Sequence, residues 1–255
     1  VTMSKILSLI TILPIIALIS CNKDDDNTAP KKTLDYIEDV VNGDLEYIDF
    51  NNKGDIIRDE FNEFTRTVSI SGNKVSLVEY DKSKGQNDFS AEYDLDANGN
   101  FVSGQASVNE NTASAYVSDF TFTYTADGHL LRSVDDESNG DKYTVDYIWA
   151  NGDLTRRTVT LNGTLLFVQD FEYANFLPDK LGINFHNDLK LPNTHWLGKL
   201  SEHLVTREHY TFPASPGEEI DYHFVYTLDN DKYVSSFSRE DVAHSAIDVI
   251  AYHYE

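Results

Sequence analysis

One kind of turn keeps returning along this chain, and it limits the fold more than any other feature. It appears as Phe50-Asn51-Asn52-Lys53-Gly54, Asp94-Leu95-Asp96-Ala97-Asn98-Gly99, Tyr124-Thr125-Ala126-Asp127-Gly128, Trp149-Ala150-Asn151-Gly152 and Leu161-Asn162-Gly163. Ser71-Gly72-Asn73 and Asp229-Asn230-Asp231 are degenerate copies. Asn-Gly and Asp-Gly supply the positive φ values that a tight hairpin needs, and short apolar runs flank them, so each copy marks a β-hairpin.

The segments between the turns alternate with period two. Tyr143, Val145, Tyr147 and Trp149 share one face, opposite Thr144 and Asp146. Phe120, Phe122 and Tyr124 alternate with Thr121, Thr123 and Thr125, and Tyr222, Phe224, Tyr226 and Leu228 with His223 and Thr227. This is the pattern of half-buried antiparallel strands. The expected fold is all-β: an antiparallel meander of hairpins with roughly ten to fourteen strands, in a strongly curved or partly closed barrel-like sheet. A composition of 40% hydrophobic and 12% aromatic residues supports a real core, and residues 33–255 suit a single β domain.

One stretch, residues 175–219, departs from the alternation. It carries Pro178, Pro192, Pro213 and Pro216 and reads as an irregular loop or helical insertion. Long irregular segments on a regular scaffold often carry function, so Trp196, His203 and Tyr210 are the candidate ligand-binding residues. The competing reading is that this segment plugs an exposed end of the sheet.

The N-terminal residues concern location. Lys5 precedes an apolar run from Ile6 to Ile19, followed by Ser20 and the only cysteine, Cys21. A basic start, an apolar stretch too short to span a bilayer and small residues at the junction define a lipoprotein signal over residues 1–20, with Cys21 as the lipidated N-terminus. Residues 21–32 form an acidic tether that includes Asp24, Asp25 and Asp26. It resembles the acidic export tag that lipoproteins of Bacteroidota carry to reach the outer leaflet of the outer membrane, which implies display on the extracellular face. The membrane is then a partner through the lipid alone. A net charge of −23 repels nucleic acid and anionic lipid.

Candidate chemistry is sparse. Asp94, Asp96, Asn98 and Gly99 match the opening of a calcium loop, but Gln105 stands where a glutamate should close it. Turns rich in Asp, Asn and Gly produce the same string. His186, His195, His203 and His209 lack the paired spacing of a zinc site, and no cysteine follows Cys21. No Gly-x-Ser-x-Gly elbow and no phosphate-binding glycine loop occurs. No catalytic residue, metal or cofactor is assigned from the sequence.

Lipid-attachment cysteine, acidic tag, aromatic hairpins and Trp196-Leu197-Gly198-Lys199-Leu200-Ser201-Glu202-His203-Leu204 before the last strands occur together here. In this the chain resembles a family of Bacteroidota outer-membrane lipoproteins with a porin-like β domain. The resemblance implies a barrel-like antiparallel fold and an envelope location, and no activity. The first expectation is therefore a surface-exposed, non-enzymatic binding module for a glycan, peptide or envelope protein. A carrier of an apolar ligand in a curved-sheet cavity and a hydrolase of glycans or peptides are the alternatives.

Overall fold

The computed structural model describes residues 34–51, 55–61, 63–108, 115–179, 194–242 and 246–254. Residues 1–20, Cys21 with its acidic tether, and the turn expected at Gly54 lie outside the described residues. The strands are β1 (Leu34–Asp39), β2 (Asp44–Phe50), β3 (Ile56–Phe61), β4 (Phe64–Ser71), β5 (Lys74–Asp81), β6 (Gln86–Leu95), β7 (Phe101–Val108) and β8 (Tyr116–Tyr124). They continue with β9 (Leu130–Glu137), β10 (Lys142–Ala150), β11 (Asp153–Leu161), β12 (Thr164–Pro178), β13 (His203–Thr211), β14 (Glu219–Leu228), β15 (Val234–Asp241) and β16 (Ala246–Tyr254). One 3-10 turn, Thr194–Leu197, precedes β13.

Each strand pairs antiparallel with the next, and β1 pairs with β16 through Leu34 opposite Tyr254, so the meander closes into a barrel of sixteen strands. The count exceeds the sequence expectation, and the reason is visible in the turns. Nearly all the recognised turns lie at one mouth, which also holds both chain ends of the barrel; we call it the near mouth. At the far mouth Asn42-Gly43, Asn139-Gly140 and Asn162-Gly163 also turn the chain, and side-chain oxygens brace two of the connections. The β1–β2 turn is held by Asp39 Oδ1, which accepts from the backbone N–H of Val41 and Asn42. The β5–β6 turn is held by Asp81 Oδ1, which accepts from Ser83 N and Lys84 N.

The near-mouth repeat has a packing purpose. The residue before each turn and the residue after it face each other: Phe50 with Ile56, Leu95 with Phe101, Tyr124 with Leu130, Trp149 with Leu154 and Leu228 with Val234. A bulge precedes every one of these pairs. Bulges re-aim side chains, and here they turn each pair into the barrel. The pairs are also stitched together by polar tips. Tyr124 Oη donates to Phe101 O (2.8 Å), Trp149 Nε1 to Leu130 O (2.7 Å) and Tyr254 Oη to Val234 O (2.5 Å), each bond joining one hairpin to its neighbour.

The turns share one geometry. Gly99 N donates to Asp96 O and Gly128 N to Thr125 O. In the degenerate copy, Lys232 N donates to Asp229 O and takes the glycine's place at φ 67°. Asn151 and Gly152, at φ 55° and 85°, form the two-residue turn that requires both values positive.

The interior departs from what sixteen strands usually make. Barrels of this strand number leave an aqueous channel when round. Here every strand contributes at least one buried apolar side chain to a single continuous core, from Leu34 and Ile37 on β1 to Ile250 and Tyr252 on β16. The outer wall is mixed: Tyr47, Ile57, Leu131, Ile148, Val225 and Ile247 are exposed on it, while four strands are polar along their outer faces. Thr65, Thr67 and Ser69 on β4, Asp119, Thr121 and Thr123 on β8, Arg156, Thr158 and Thr160 on β11, and Ser236, Ser238 and Glu240 on β15 point outward. Ion pairs bridge neighbouring strands there, including Arg132–Asp146 and Arg156–Asp170, both at 2.6 Å.

Candidate functional site

The segment expected to be irregular is mostly regular. Residues 175–178 complete β12, His203–Thr211 form β13, and Glu219 opens β14. The alternation along β13 is hidden because Glu208 occupies an inward position beside Tyr210, with Arg207 and His209 outside. A buried carboxylate at an apolar parity breaks the sequence pattern without breaking the strand.

The described remainder of this segment closes the near mouth. Trp196 and Leu197 are buried in the common core, and the Trp196 ring packs 5.3 Å from that of Phe101. Gly198, at φ 88°, lets the backbone pass so close to Gly128 that an added Cβ would sit 2.4 Å from the Gly128 carbonyl oxygen. His129 and Lys199 form a parallel bridge, and Lys199 N donates to Gly128 O (2.9 Å). Asp153 then fastens the exit. Its Oδ1 accepts from Glu202 N and His203 N, and its Oδ2 lies 2.9 Å from His203 Nδ1. Ser201 Oγ accepts from Leu154 N and meets Tyr173 Oη at 3.0 Å.

The three candidate binding residues therefore do not share one surface. Trp196 is inside the near-mouth plug, and His203 is half-buried against Asp153. Tyr210 is buried further along the barrel, where Gln169 Nε2 donates to its Oη (2.6 Å) and its hydroxyl donates to Glu208 Oε2 (3.2 Å). The calcium-like string is a turn. Asp96 Oδ1 accepts from Asn98 N and Asn100 N, as Asp229 Oδ1 accepts from Asp231 N and Tyr233 N in the corresponding hairpin. Asp94 faces outward, where Ser103 Oγ donates to it and Lys74 lies 3.6 Å away. Among the described residues, no group of three or more His, Cys, Asp or Glu is placed to hold a metal ion. His186 lies outside the described residues.

Buried charge inside the barrel was not foreseen from the sequence. Asp59, Arg66 and Glu79 stand opposite one another on β3, β4 and β5. Arg66 Nη1 donates to Asp59 (2.9 Å) and Nη2 to Glu79 (2.8 Å), with all three side chains buried. Glu46 lies beside them, and its Oε1 is shut off from solvent without a hydrogen-bond partner among the described residues. Burial, reinforced by the Asp59 charge and opposed by Arg66, pushes Glu46 up to about 8. Burial likewise pushes Glu208 up to about 7, against the nearby charges of Arg157 and Arg239. The legible signal would have been a charge on the apolar parity of a strand, as in Phe64, Arg66, Val68 and Ile70.

A second polar group lies toward the far mouth. Tyr93, Gly104, Phe120, Asp135 and Tyr143 form one inward-facing row across β6 to β10, each directly opposite the next. Tyr93 lies flat across Gly104: a Cβ at that glycine would fall 2.2 Å from the Tyr93 ring. Tyr93 is fully buried, yet its hydroxyl has no hydrogen-bond partner among the described residues, and neither has Asp135 Oδ1. Burial raises the Tyr93 hydroxyl, and the Asp135 charge adds to the effect. Asp135 itself is pushed up to about 7, mainly by burial, with Ser118 opposing through a hydrogen bond. Tyr116 and Tyr143, both partly exposed, stand around it with Glu137.

A family model described as a domain of unknown function (DUF4595) with porin-like fold matches residues 51–236. The chain belongs to the DUF4595 family. The sequence-based resemblance and the all-β barrel expectation both agree with this membership. Among solved structures, a porin-like protein from Bacteroides uniformis is similar at 16% identity, covering 89% of this chain and 99% of that one, with a TM-score of 0.65. A porin-like protein from Bacteroides vulgatus is similar at 13% identity, covering 88% and 99%, with a TM-score of 0.64. No curated protein matches the chain. At such identities the likeness is one of fold. For this DUF4595 member, "porin-like" describes strand number and closure. A membrane-spanning barrel carries an apolar band outside and polar residues within. Here four strands are polar along their outer faces and all sixteen meet in an apolar core.

Proposed function

We propose that this chain is a lipid-anchored outer-membrane lipoprotein, exposed at the cell surface, whose barrel stands in water as a non-enzymatic binding module. The observation that carries this reading is the filled apolar core beneath an outer wall that four strands line with polar residues. An outer wall laced with Arg132–Asp146 and Arg156–Asp170 pairs suits water, not acyl chains. The filled core argues for a scaffold over a carrier of an apolar ligand, because the space such a ligand would take is held by the protein's own side chains. Leu34 starts β1 at the near mouth, so a tether through Cys21 attaches at that plugged end. The far mouth then faces away from the membrane, toward whatever the cell meets.

Metabolic labelling with palmitate tests the anchor, and protease shaving of intact cells tests display. Wild-type protein should take up label, and Cys21→Ala should lose it. External protease should degrade the barrel on cells with an intact outer membrane, and changing Asp24, Asp25 and Asp26 to Ala should protect it. Equal labelling of the Cys21→Ala variant, or full protection of the wild type, would contradict the reading.

A further inference from the structure

We propose that the patch of inner wall toward the far mouth formed by Tyr93, Tyr116, Ser118, Asp135, Glu137 and Tyr143 binds an organic ammonium group. This rests on the reading of the far mouth as the binding end and names the chemistry it recognises. The geometry has three parts. First, the row from Tyr93 to Tyr143 brings residues of β6, β8, β9 and β10 to one patch of the inner wall, and the ring contact over Gly104 sends the Tyr93 side chain toward Asp135. Second, Tyr93 Oη and Asp135 Oδ1 are buried there with no hydrogen-bond partner among the described residues, and the Asp135 charge acts on the Tyr93 hydroxyl. Buried polar atoms are ordinarily hydrogen-bonded, so such a pair in a native fold calls for a ligand or an ordered water. Third, the rings of Tyr116 and Tyr143 are half-buried there and close enough to act on each other and on Asp135 and Glu137.

The chemistry selects the ligand. The patch offers acceptors and π faces, and the groups acting on Asp135 from its own and neighbouring strands, Glu137, Asp136 and Asp119, are all acidic. An anion is excluded. A metal ion is disfavoured, because among the described residues no group of three or more His, Cys, Asp or Glu is placed to hold one. An alkylammonium head uses what is partly exposed there: its charge and N–H groups meet Asp135 and Glu137, and its methylene stem lies against the rings of Tyr116 and Tyr143, which attract cations through their faces. Asp135 lies high enough to titrate near neutrality, so a bound cation would release its proton, and binding should tighten as pH rises through about 7.

The test titrates purified protein with n-butylammonium at pH 8, followed by ligand-observed NMR, with butanol as the uncharged counterpart. Saturable binding of n-butylammonium and none of butanol is expected. Asp135→Asn should weaken it about tenfold, the loss of about 1.4 kcal/mol of attraction. Tyr143→Leu should weaken it as well, with an unchanged circular dichroism spectrum. Glu240→Gln, which removes the same charge from the outer wall, should leave binding unaltered and so excludes general attraction to an acidic protein. N-acetyl-lysine methylamide and spermidine, run alongside, separate a peptide source of the ammonium from a polyamine. Absence of saturable n-butylammonium binding, or equal binding by wild type and Asp135→Asn, would overturn the proposal. If shaved cells still expose the barrel, the reading of it as a displayed domain stands independently of that result.

Discussion

Replacing Arg66 with alanine is expected to cost about 3–5 kcal/mol of stability, the range for breaking a buried ion pair from one side. Arg66 is itself buried, and burial works against its charge. Asp59 and Glu79 outweigh that effect, so its pKa is raised and the guanidinium stays ionised. Removing it leaves two carboxylates, with Glu46 nearby, facing one another in the core without the cation that holds them. Urea unfolding should show a lower midpoint with little change in slope. The combined change Arg66→Met, Asp59→Leu and Glu79→Leu should recover most of the loss, because a well-packed apolar replacement avoids burying charge at all. A loss under about 1 kcal/mol for Arg66→Ala, the magnitude of an exposed pair, would mean that the network is open to water.

The second large effect is a fall in stability as pH rises from acid to mildly alkaline. Glu46 has its folded-state pKa raised from 4.5 to about 8. Between those values the folded protein holds a proton that the unfolded chain has released, so each pH unit upward favours unfolding by up to about 1.4 kcal/mol. Glu208 and Asp135, both raised to about 7, act in the same direction over a narrower window. Carboxylates held low work oppositely. Asp221, lowered chiefly by its bonds to Arg207, and Asp96, held low by hydrogen bonds within its turn, lose their stabilising contribution as pH falls toward their folded values. Stability should therefore peak near pH 5 and decline toward pH 8, by about 3–4 kcal/mol from Glu46 alone if it keeps its full shift. Glu46→Gln should flatten the alkaline limb. The same decline in the Glu46→Gln protein would assign it to overall charge repulsion instead.

The near mouth was legible in the sequence because its turns need positive φ and its packing needs an aromatic or aliphatic residue on each side. Asn151-Gly152 between Trp149 and Leu154 shows both demands at once. The far mouth was less legible: Asn42-Gly43 and Asn139-Gly140 lack the aromatic residue or leucine that precedes most near-mouth turns, and the β5–β6 turn held by Asp81 carries no Asn-Gly or Asp-Gly pair. That asymmetry hid one turn in nearly every pair and lowered the expected strand number. β13 was missed for a different reason. Glu208 sits where the period-two pattern demands an apolar residue, and only the pairing of Glu208 with Phe171 on one side and Tyr222 on the other restores the parity. The patch at Asp135 was hidden more deeply. Tyr93, Asp135 and Tyr143 are far apart in sequence and meet only because sheet register places them in one row. Trp196 stood out in the sequence as a candidate ligand-binding residue, and its buried position against Phe101 at the near mouth agrees with the competing reading of a plug.

The account's central claim is that a porin-like barrel has been turned inside out, filled within and water-facing without. Phase partition in Triton X-114 tests it most directly, using the chain from Asn22 to Glu255, which lacks the lipid-bearing cysteine. The account predicts that this chain is folded and β-rich in detergent-free buffer and enters the aqueous phase. Recovery in the detergent phase, or a need for detergent to remain folded, would show a lipid-facing wall and contradict it.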